Sequence, residues 1–123
     1  IEKSAAHCLA KVESGGIVGS NKATDLVDVE QEIALSPITE KDKKAFEIGK
    51  ALGINYFALS FTNSKSDVEQ MREIVGSAAT IISKIESRNG VCNLPEILDV
   101  VDQILIDRGD LSRQLPIEKI PFL

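Results

Sequence analysis

Two short segments of the sequence combine branched apolar residues with charged ones. Residues 81–86 carry Lys84 and Glu86 within an apolar run, and residues 104–110 end in Asp110. Branched apolar runs are typical of buried strands, where an unpaired charge is strongly destabilising. A bound cation and an anionic substrate would compensate such charges. The two segments therefore predict an active site.

The carboxylates of Glu86 and Asp110 are candidate metal ligands. Each stands at or just beyond the end of its predicted strand, and neighbouring strand ends can bring two carboxylates together. Mg²⁺ and Mn²⁺ prefer such oxygen ligands. Lys84 shares a strand face with Glu86, where its charge can stabilise a transferring phosphoryl group or a developing enolate. The alternative interpretation is an ion pair on the solvated face of an ordinary strand.

Three predicted strands and three predicted helices position these groups. The strands cover residues 54–61, 80–86 and 103–107. The helices begin at Thr39 with Asp42 three residues later, at a capping box formed by residues 66–69, and at Asn93. Their predicted buried faces are Ala45, Ile48, Gly49 and Leu52 in the first helix, Val68, Met71, Ile74 and Val75 in the second, and Leu94, Ile97, Leu98 and Val101 in the third.

The alternation of these elements predicts an α/β fold with parallel strands and right-handed crossovers. Along the second strand, Lys84 and Glu86 point to one face and Ser83 to the other. In an eight-stranded barrel of this kind, catalytic groups lie at the carboxyl ends of the strands, where Glu86, Asp110 and Ser60 are placed. Three strands cannot close such a barrel, so we expect the sequence to be part of a longer polypeptide.

The first third of the sequence carries fewer periodic signals. Residues 5–20 are predicted to be extended, and Gly15-Gly16 supplies a hairpin-like turn into Ile17 and Val18. Residues 20–38 are predicted to form a long connection. The repeating α/β pattern is therefore expected to begin only after this segment.

The composition restricts the possible partners and the cellular location. Hydrophobic residues make up 43% of the 123 residues and charged residues 27%, as in globular domains. The net charge of −5 argues against a nucleic-acid partner, and no apolar stretch has the length of a membrane span. Cys8 and Cys92 lack a metal-ligand spacing. They predict reduced thiols of a cytosolic protein, with a single disulfide as the alternative.

Taken in order, these segments resemble the pyruvate kinase family along essentially the whole chain. The resemblance covers residues 81–86 as the fifth barrel strand, 104–111 with 115–119 as the sixth, 58–61 with 66–68 as the fourth strand and its helix, 39–42 as a helix start, and 15–26 as the exit from a small β-domain. It implies that residues 28–123 are part of a TIM (β/α)8 barrel, about strands 4–6. Residues 1–27 would then be the end of the inserted β-domain and its linker.

The resemblance also implies roles for individual residues. Glu86 and Asp110 would bind the divalent metal, and Lys84 would stabilise the enolate and the transferring phosphoryl group. The backbone N–H groups of Gly109 and Asp110 would receive the substrate carboxylate or phosphate, and Ser60 would line the site. Members of the family transfer phosphate from phosphoenolpyruvate to ADP in glycolysis, with Mg²⁺ or Mn²⁺ and K⁺. A cytoplasmic homo-oligomer, a tetramer by resemblance, without nucleic-acid or membrane partners is expected.

Four residues depart from the family pattern near the site. Asp107 replaces a small uncharged residue, Ser112 a glycine, Ser87 an asparagine, and Asn63 a residue that is commonly basic. Asp107 would weaken binding of an anionic substrate unless it turns away or meets a cation. Two alternatives therefore remain, a metal-dependent lyase or aldolase acting on phosphoenolpyruvate or pyruvate, and a catalytically degenerate domain. We expect no catalysis from the 123 residues by themselves.

Overall fold

A computed structural model describes residues 2–3, 8–9, 11–20 and 35–122. The chain divides into two compact units, Ile1–Ile33 and Ala34–Leu123. The predicted boundary between residues 27 and 28 lies outside the described residues and stays a prediction.

The first unit contains a two-stranded antiparallel sheet of β1 (Glu2–Lys3) and β2 (Cys8–Leu9). The hairpin predicted around Gly15-Gly16 is wrong, because residues 11–20 contain no strand. Ile17 and Val18 are almost fully exposed. Because no side chain of residues 11–20 is buried, no burial offsets the conformational entropy that Gly15 and Gly16 would lose on forming an ordered turn.

The second unit is built on a parallel three-stranded sheet, which confirms the predicted α/β fold class. Strands β3 (Tyr56–Leu59), β4 (Thr80–Ile85) and β5 (Gln103–Ile106) lie in that order. Each strand is shorter than predicted, because the residues after it leave the sheet to form the loops described below. The register pairs Leu59 with Ser83 and Ile85 with Ile106, so the carboxyl ends of all three strands meet at one edge.

Five α-helices and one 3₁₀-helix accompany this sheet in the described part of the second unit. They are α1 (Glu40–Ala51), α2 (Lys65–Val75), α3 (Arg88–Cys92), α4 (Leu94–Leu98), α5 (Arg108–Leu111) and the 3₁₀-helix Ile117–Phe122. Within the described residues, no helix is both long enough and apolar enough to cross a membrane.

The predicted start of α1 is confirmed, but its predicted buried face is largely wrong. Thr39 Oγ1 accepts the Asp42 N–H at 3.2 Å, and the Asp42 carboxylate accepts the Thr39 N–H at 2.9 Å. Of the predicted face only Gly49 is buried. The helix approaches the sheet through Gly49, where a Cβ would lie 3.0 Å from the Phe57 ring, and through Phe46, whose ring packs edge-on against Phe57. Aromatic packing therefore decides which face turns inward.

The start of α2 differs from the prediction, whereas the start of α4 agrees with it. Helix α2 is capped by Ser64 and not by Ser66, since the Ser64 N–H and Oγ both donate to the Asp67 carboxylate. The helix predicted to begin at Asn93 is α4, which has Asn93 as its N-cap but ends at Leu98, before the predicted inward residue Val101. The helix before it, α3, was not predicted. Pro95 lies in the first turn of α4, where a residue without an N–H is tolerated, whereas within a continuous helix it would break the hydrogen-bond pattern.

The core lies between one face of the sheet and the helices. Ile81, Ser83 and Ile85 are buried, whereas Lys84 is only partly buried on the other face, as the alternation predicts. In α4 the predicted inward position Ile97 is buried, but Leu98 is exposed. The buried apolar residues include Phe57, Leu59, Val68, Met71, Val75, Ile81, Ile85 and Ile97.

Asp102 connects α2 to the sheet. Its Oδ2 accepts the N–H of the fully buried Ile81 at 2.7 Å and lies 2.6 Å from Arg72 Nη2. The Ile81 N–H first, and the Arg72 guanidinium second, lower the pKa of Asp102 below its usual value. The carboxylate therefore remains charged under all but strongly acidic conditions.

We predict that Asp102→Ala lowers the free energy of unfolding by about 1–2 kcal/mol at pH 7, because the buried Ile81 N–H loses its acceptor. Since the folded pKa is depressed, this stabilisation is complete above the unfolded value of about 3.9 and is lost as the pH falls through the folded pKa. Urea denaturation at several pH values measures the effect. Asp99→Ala, which removes an exposed carboxylate, is the control, and equal losses in both variants would contradict the prediction.

Candidate functional site

The candidate residues predicted from the sequence lie at the shared carboxyl edge of the three strands. Lys84 is in β4 and Glu86 directly follows β4. Gly109 and Asp110 lie in α5, which begins immediately after β5. Ser60 directly follows β3 and is exposed. The sheet thus brings all five residues to one edge, although their roles stay predictions.

Glu86 is the most buried charged group of the site, with 1% of its surface exposed. Its Oε1 accepts a hydrogen bond from Lys84 Nζ at 2.6 Å, and its Oε2 accepts the Phe61 N–H at 2.6 Å. Phe61 has a φ of 49°, which side-chain-bearing residues rarely adopt. The adjoining Thr62 N–H donates to the Lys84 carbonyl at 3.2 Å. The loop after β3 thereby fixes the position of the Glu86 carboxylate.

Lys84 places a protonated amine between two carboxylates. Besides Glu86, its Nζ lies 3.4 Å from Asp107 Oδ2. The hydrogen bond with Glu86, and to a smaller extent the contact with Asp107, raise the pKa of Lys84 and outweigh the opposite effect of burial. The side chain is 25% exposed. Lys84 therefore carries a fixed positive charge that a ligand at the strand ends can reach.

Asp107 also lies in the site, and its carboxylate contacts the Lys84 amine instead of pointing away from the site. Its Oδ1 accepts the Gly109 N–H at 3.1 Å and lies 3.5 Å from the Asp110 N. Burial raises the pKa of Asp107, but the Asp110 N–H, the Lys84 amine and a side-chain hydrogen bond with Glu86 together outweigh burial and lower it. Asp107 is therefore ionised, and it interacts with the two N–H groups that the resemblance assigns to the substrate.

Three carboxylates cluster at this edge. Oxygen atoms of Glu86, Asp107 and Asp110 lie within 4.8 Å of one another. Asp110 Oδ1 is 3.5 Å from Arg113 Nη2, so this carboxylate also has a cationic neighbour. A set made only of carboxylate oxygens fits a hard divalent cation such as Mg²⁺ or Mn²⁺. Glu86 and Asp110 can therefore hold the metal that the resemblance implies, with Asp107 beside them.

The sequence interpretation did not include Asp107 in this cluster. The register pairs Ile85 with Ile106, and the Asp107 N–H donates to the Ile85 carbonyl at 3.2 Å. Glu86 and Asp107 are consequently equivalent positions, each the first residue after its strand. A carboxylate at the same position after two neighbouring strands was the signal that could have identified the pair.

A network of polar side chains next to Glu86 connects the loop after β3 with the segment after β4. Ser87 Oγ accepts the Gly90 N–H at 3.0 Å, caps α3 and donates to Asn63 Oδ1. Asn93 Nδ2 donates to the Asn63 carbonyl at 2.8 Å. A Cβ on Gly90 would lie 2.5 Å from the Thr62 carbonyl oxygen, so only glycine allows this approach. Two departures from the family pattern, Ser87 and Asn63, thus contact each other.

Comparison with known proteins agrees with the fold class. The family model "Pyruvate kinase, barrel domain" matches residues 1–123. The chain is 34% identical to the pyruvate kinase of Geobacillus stearothermophilus, which it matches over 100% of its own length and 21% of the relative's. For the pyruvate kinase of Clostridium perfringens the values are 35% identity, 94% of this chain and 25% of the relative.

A eukaryotic relative gives the same result. The pyruvate kinase of Dictyostelium discoideum is 36% identical over 98% of this chain and 24% of the relative. The chain thus spans between a fifth and a quarter of the length of these curated relatives. Because the barrel-domain model matches the sequence from its first residue to its last, the chain belongs to the pyruvate kinase family.

Proposed function

We propose that this chain contributes catalytic residues to a pyruvate kinase-like phosphotransferase, which transfers phosphate from phosphoenolpyruvate to ADP and yields pyruvate and ATP. The observation that carries the proposal is the contact of Lys84 Nζ with the buried Glu86 carboxylate at 2.6 Å, beside Asp110 at the same strand edge. Membership of the family supports it. A fixed ammonium next to a metal-binding carboxylate set is suited to an anionic substrate.

Lys84 is the residue that acts on the transferring group. An oxygen of the ADP β-phosphate forms a bond to phosphorus, and the bond from phosphorus to the enol oxygen breaks. The enol carbon then takes up a proton, which gives pyruvate. Negative charge on the phosphoryl and enol oxygens is stabilised by the Lys84 ammonium, which its raised pKa keeps protonated.

The remaining residues bind and orient. Glu86 and Asp110 would hold the divalent cation, which supplies positive charge beside the anionic groups of the substrate. The backbone N–H groups of Gly109 and Asp110 would receive the substrate carboxylate or phosphate, and Ser60 would line the site. K⁺ as a second cofactor, a homo-oligomeric state, a cytoplasmic location and a role in glycolysis are proposed from the family alone.

We predict that Lys84→Met reduces phosphoenolpyruvate-dependent formation of ATP by at least about a hundredfold in kcat, because the charge that stabilises the transition state is removed. The assay uses the complete gene product that contains this chain, since three strands do not close a barrel. Lys44→Met, which removes an exposed lysine in α1, is the control. Undiminished activity of the Lys84 variant would exclude the proposed function.

We predict that Glu86→Gln raises the Kd for Mn²⁺ by about tenfold or more, because a neutral amide replaces the buried carboxylate ligand. Electron paramagnetic resonance of free Mn²⁺ measures binding to the complete gene product. Glu47→Gln alters an exposed carboxylate of α1 and should leave the affinity unchanged.

The same measurements separate the alternative functions. A degenerate domain would show no Mn²⁺ site in the unmodified protein. A lyase or aldolase would bind Mn²⁺ but would consume pyruvate with an aldehyde, and would form no ATP from phosphoenolpyruvate and ADP.

A further inference from the structure

Asp107 is the acidic side chain of the site to which the family pattern gives no role. By the resemblance it replaces a small uncharged residue, and it is 33% exposed at the shared strand edge. Both of its oxygens have partners, the Gly109 and Asp110 N–H groups on one side and Lys84 Nζ on the other. Its position therefore differs from that of a solvated surface carboxylate.

The partners of Asp107 are those that an anionic substrate group would need. A carboxylate of the substrate would seek the same two N–H groups and the same ammonium. The Asp107 carboxylate is tethered to the chain next to them, so it competes at a high effective concentration. An anionic group of the substrate at this position would also lie directly beside the Asp107 carboxylate, which disfavours its binding.

Ser112, the second departure in this segment, stabilises the same arrangement. Its Oγ donates a hydrogen bond to the Gly109 carbonyl at 2.8 Å. Helix α5 thus has the N–H groups of Gly109 and Asp110 directed at Asp107, its N-cap, and a carbonyl bound by Ser112. Both unusual residues therefore stabilise α5 as it stands.

We propose that Asp107 is a specificity-determining residue whose carboxylate takes the place of the substrate's anionic group and lowers the affinity of the site for phosphoenolpyruvate. The inference rests on the proposed function, because it concerns the substrate of that same site. Phosphoenolpyruvate binds with its carboxylate at Gly109 and Asp110 only after Asp107 has turned away. Removal of Asp107 therefore restores the affinity.

The test is the affinity of the complete gene product for phosphoenolpyruvate in the presence of Mn²⁺, by isothermal titration calorimetry, together with the KM for phosphoenolpyruvate. Asp107→Ala is expected to lower both constants by about tenfold, since it removes a like charge and frees the N–H groups. Asp107→Asn keeps an acceptor for the N–H groups without the charge and should have a smaller effect. Asp99→Ala changes the net charge equally at an exposed position and should have none.

Two results would overturn the inference. An unchanged or weaker affinity for phosphoenolpyruvate in Asp107→Ala would show that Asp107 does not compete with the substrate. A loss of Mn²⁺ affinity in that variant would show that Asp107 is a metal ligand instead.

Binding and turnover distinguish this inference from the proposed function. Tighter binding of phosphoenolpyruvate by Asp107→Ala, without formation of ATP by any variant, would support the inference and refute the phosphotransferase activity. Formation of ATP with a KM for phosphoenolpyruvate that is the same with and without Asp107 would support the phosphotransferase activity and refute the inference.

Discussion

The burial of the Glu86 carboxylate is the constraint on which the rest of the site depends. A carboxylate with 1% of its surface exposed must find partners inside the protein, and it finds them in Lys84 and in the Phe61 N–H. To supply that N–H, Phe61 adopts a positive φ, and the chain leaves β3 after Leu59. The length of one strand and the path of its loop thus follow from the needs of one charged group on the next strand.

The arrangement around Glu86 is better explained by the binding of a ligand than by a contribution to the stability of the fold. A buried ion pair seldom stabilises a fold more than apolar residues of similar size would, because desolvation offsets the attraction. Here the ammonium of Lys84 is shared by Glu86 and Asp107, and its charge stays available at the surface of the strand edge. An unusual φ at Phe61 adds to the energetic cost. Local strain together with a buried charge, at the carboxyl edge of parallel strands, is the combination expected where a ligand binds.

The strands can be predicted from the sequence because their regular alternation with helices agrees with their branched apolar composition. Parallel pairing, the two faces of β4 and the meeting of Lys84, Glu86 and Asp110 at one edge all follow from that pattern. The buried face of α1 does not, since Ile48 and Leu52 obey helical spacing yet stay exposed while Phe46 and Gly49 pack on Phe57. The place of Asp107 was also missed, because it depends on the register between β4 and β5, which no local pattern contains.

In the sequence, the four departures from the family pattern look scattered, but in the structure they form two local pairs. Ser87 contacts Asn63, and Asp107 and Ser112 hold the same turn of the chain. Random loss of a site would leave buried polar atoms without partners, since each substitution would remove one half of an interaction. Among the described residues the buried side-chain atom left without a partner is Ser83 Oγ, which lies on the opposite face of β4 from Lys84. At the strand edge the substituted side chains have partners instead, since Ser87 bonds to Asn63, and Asp107 and Ser112 both bond to the backbone of Gly109. Polar side chains that all have partners favour a site that has been remodelled around its charges over one whose residues have changed at random.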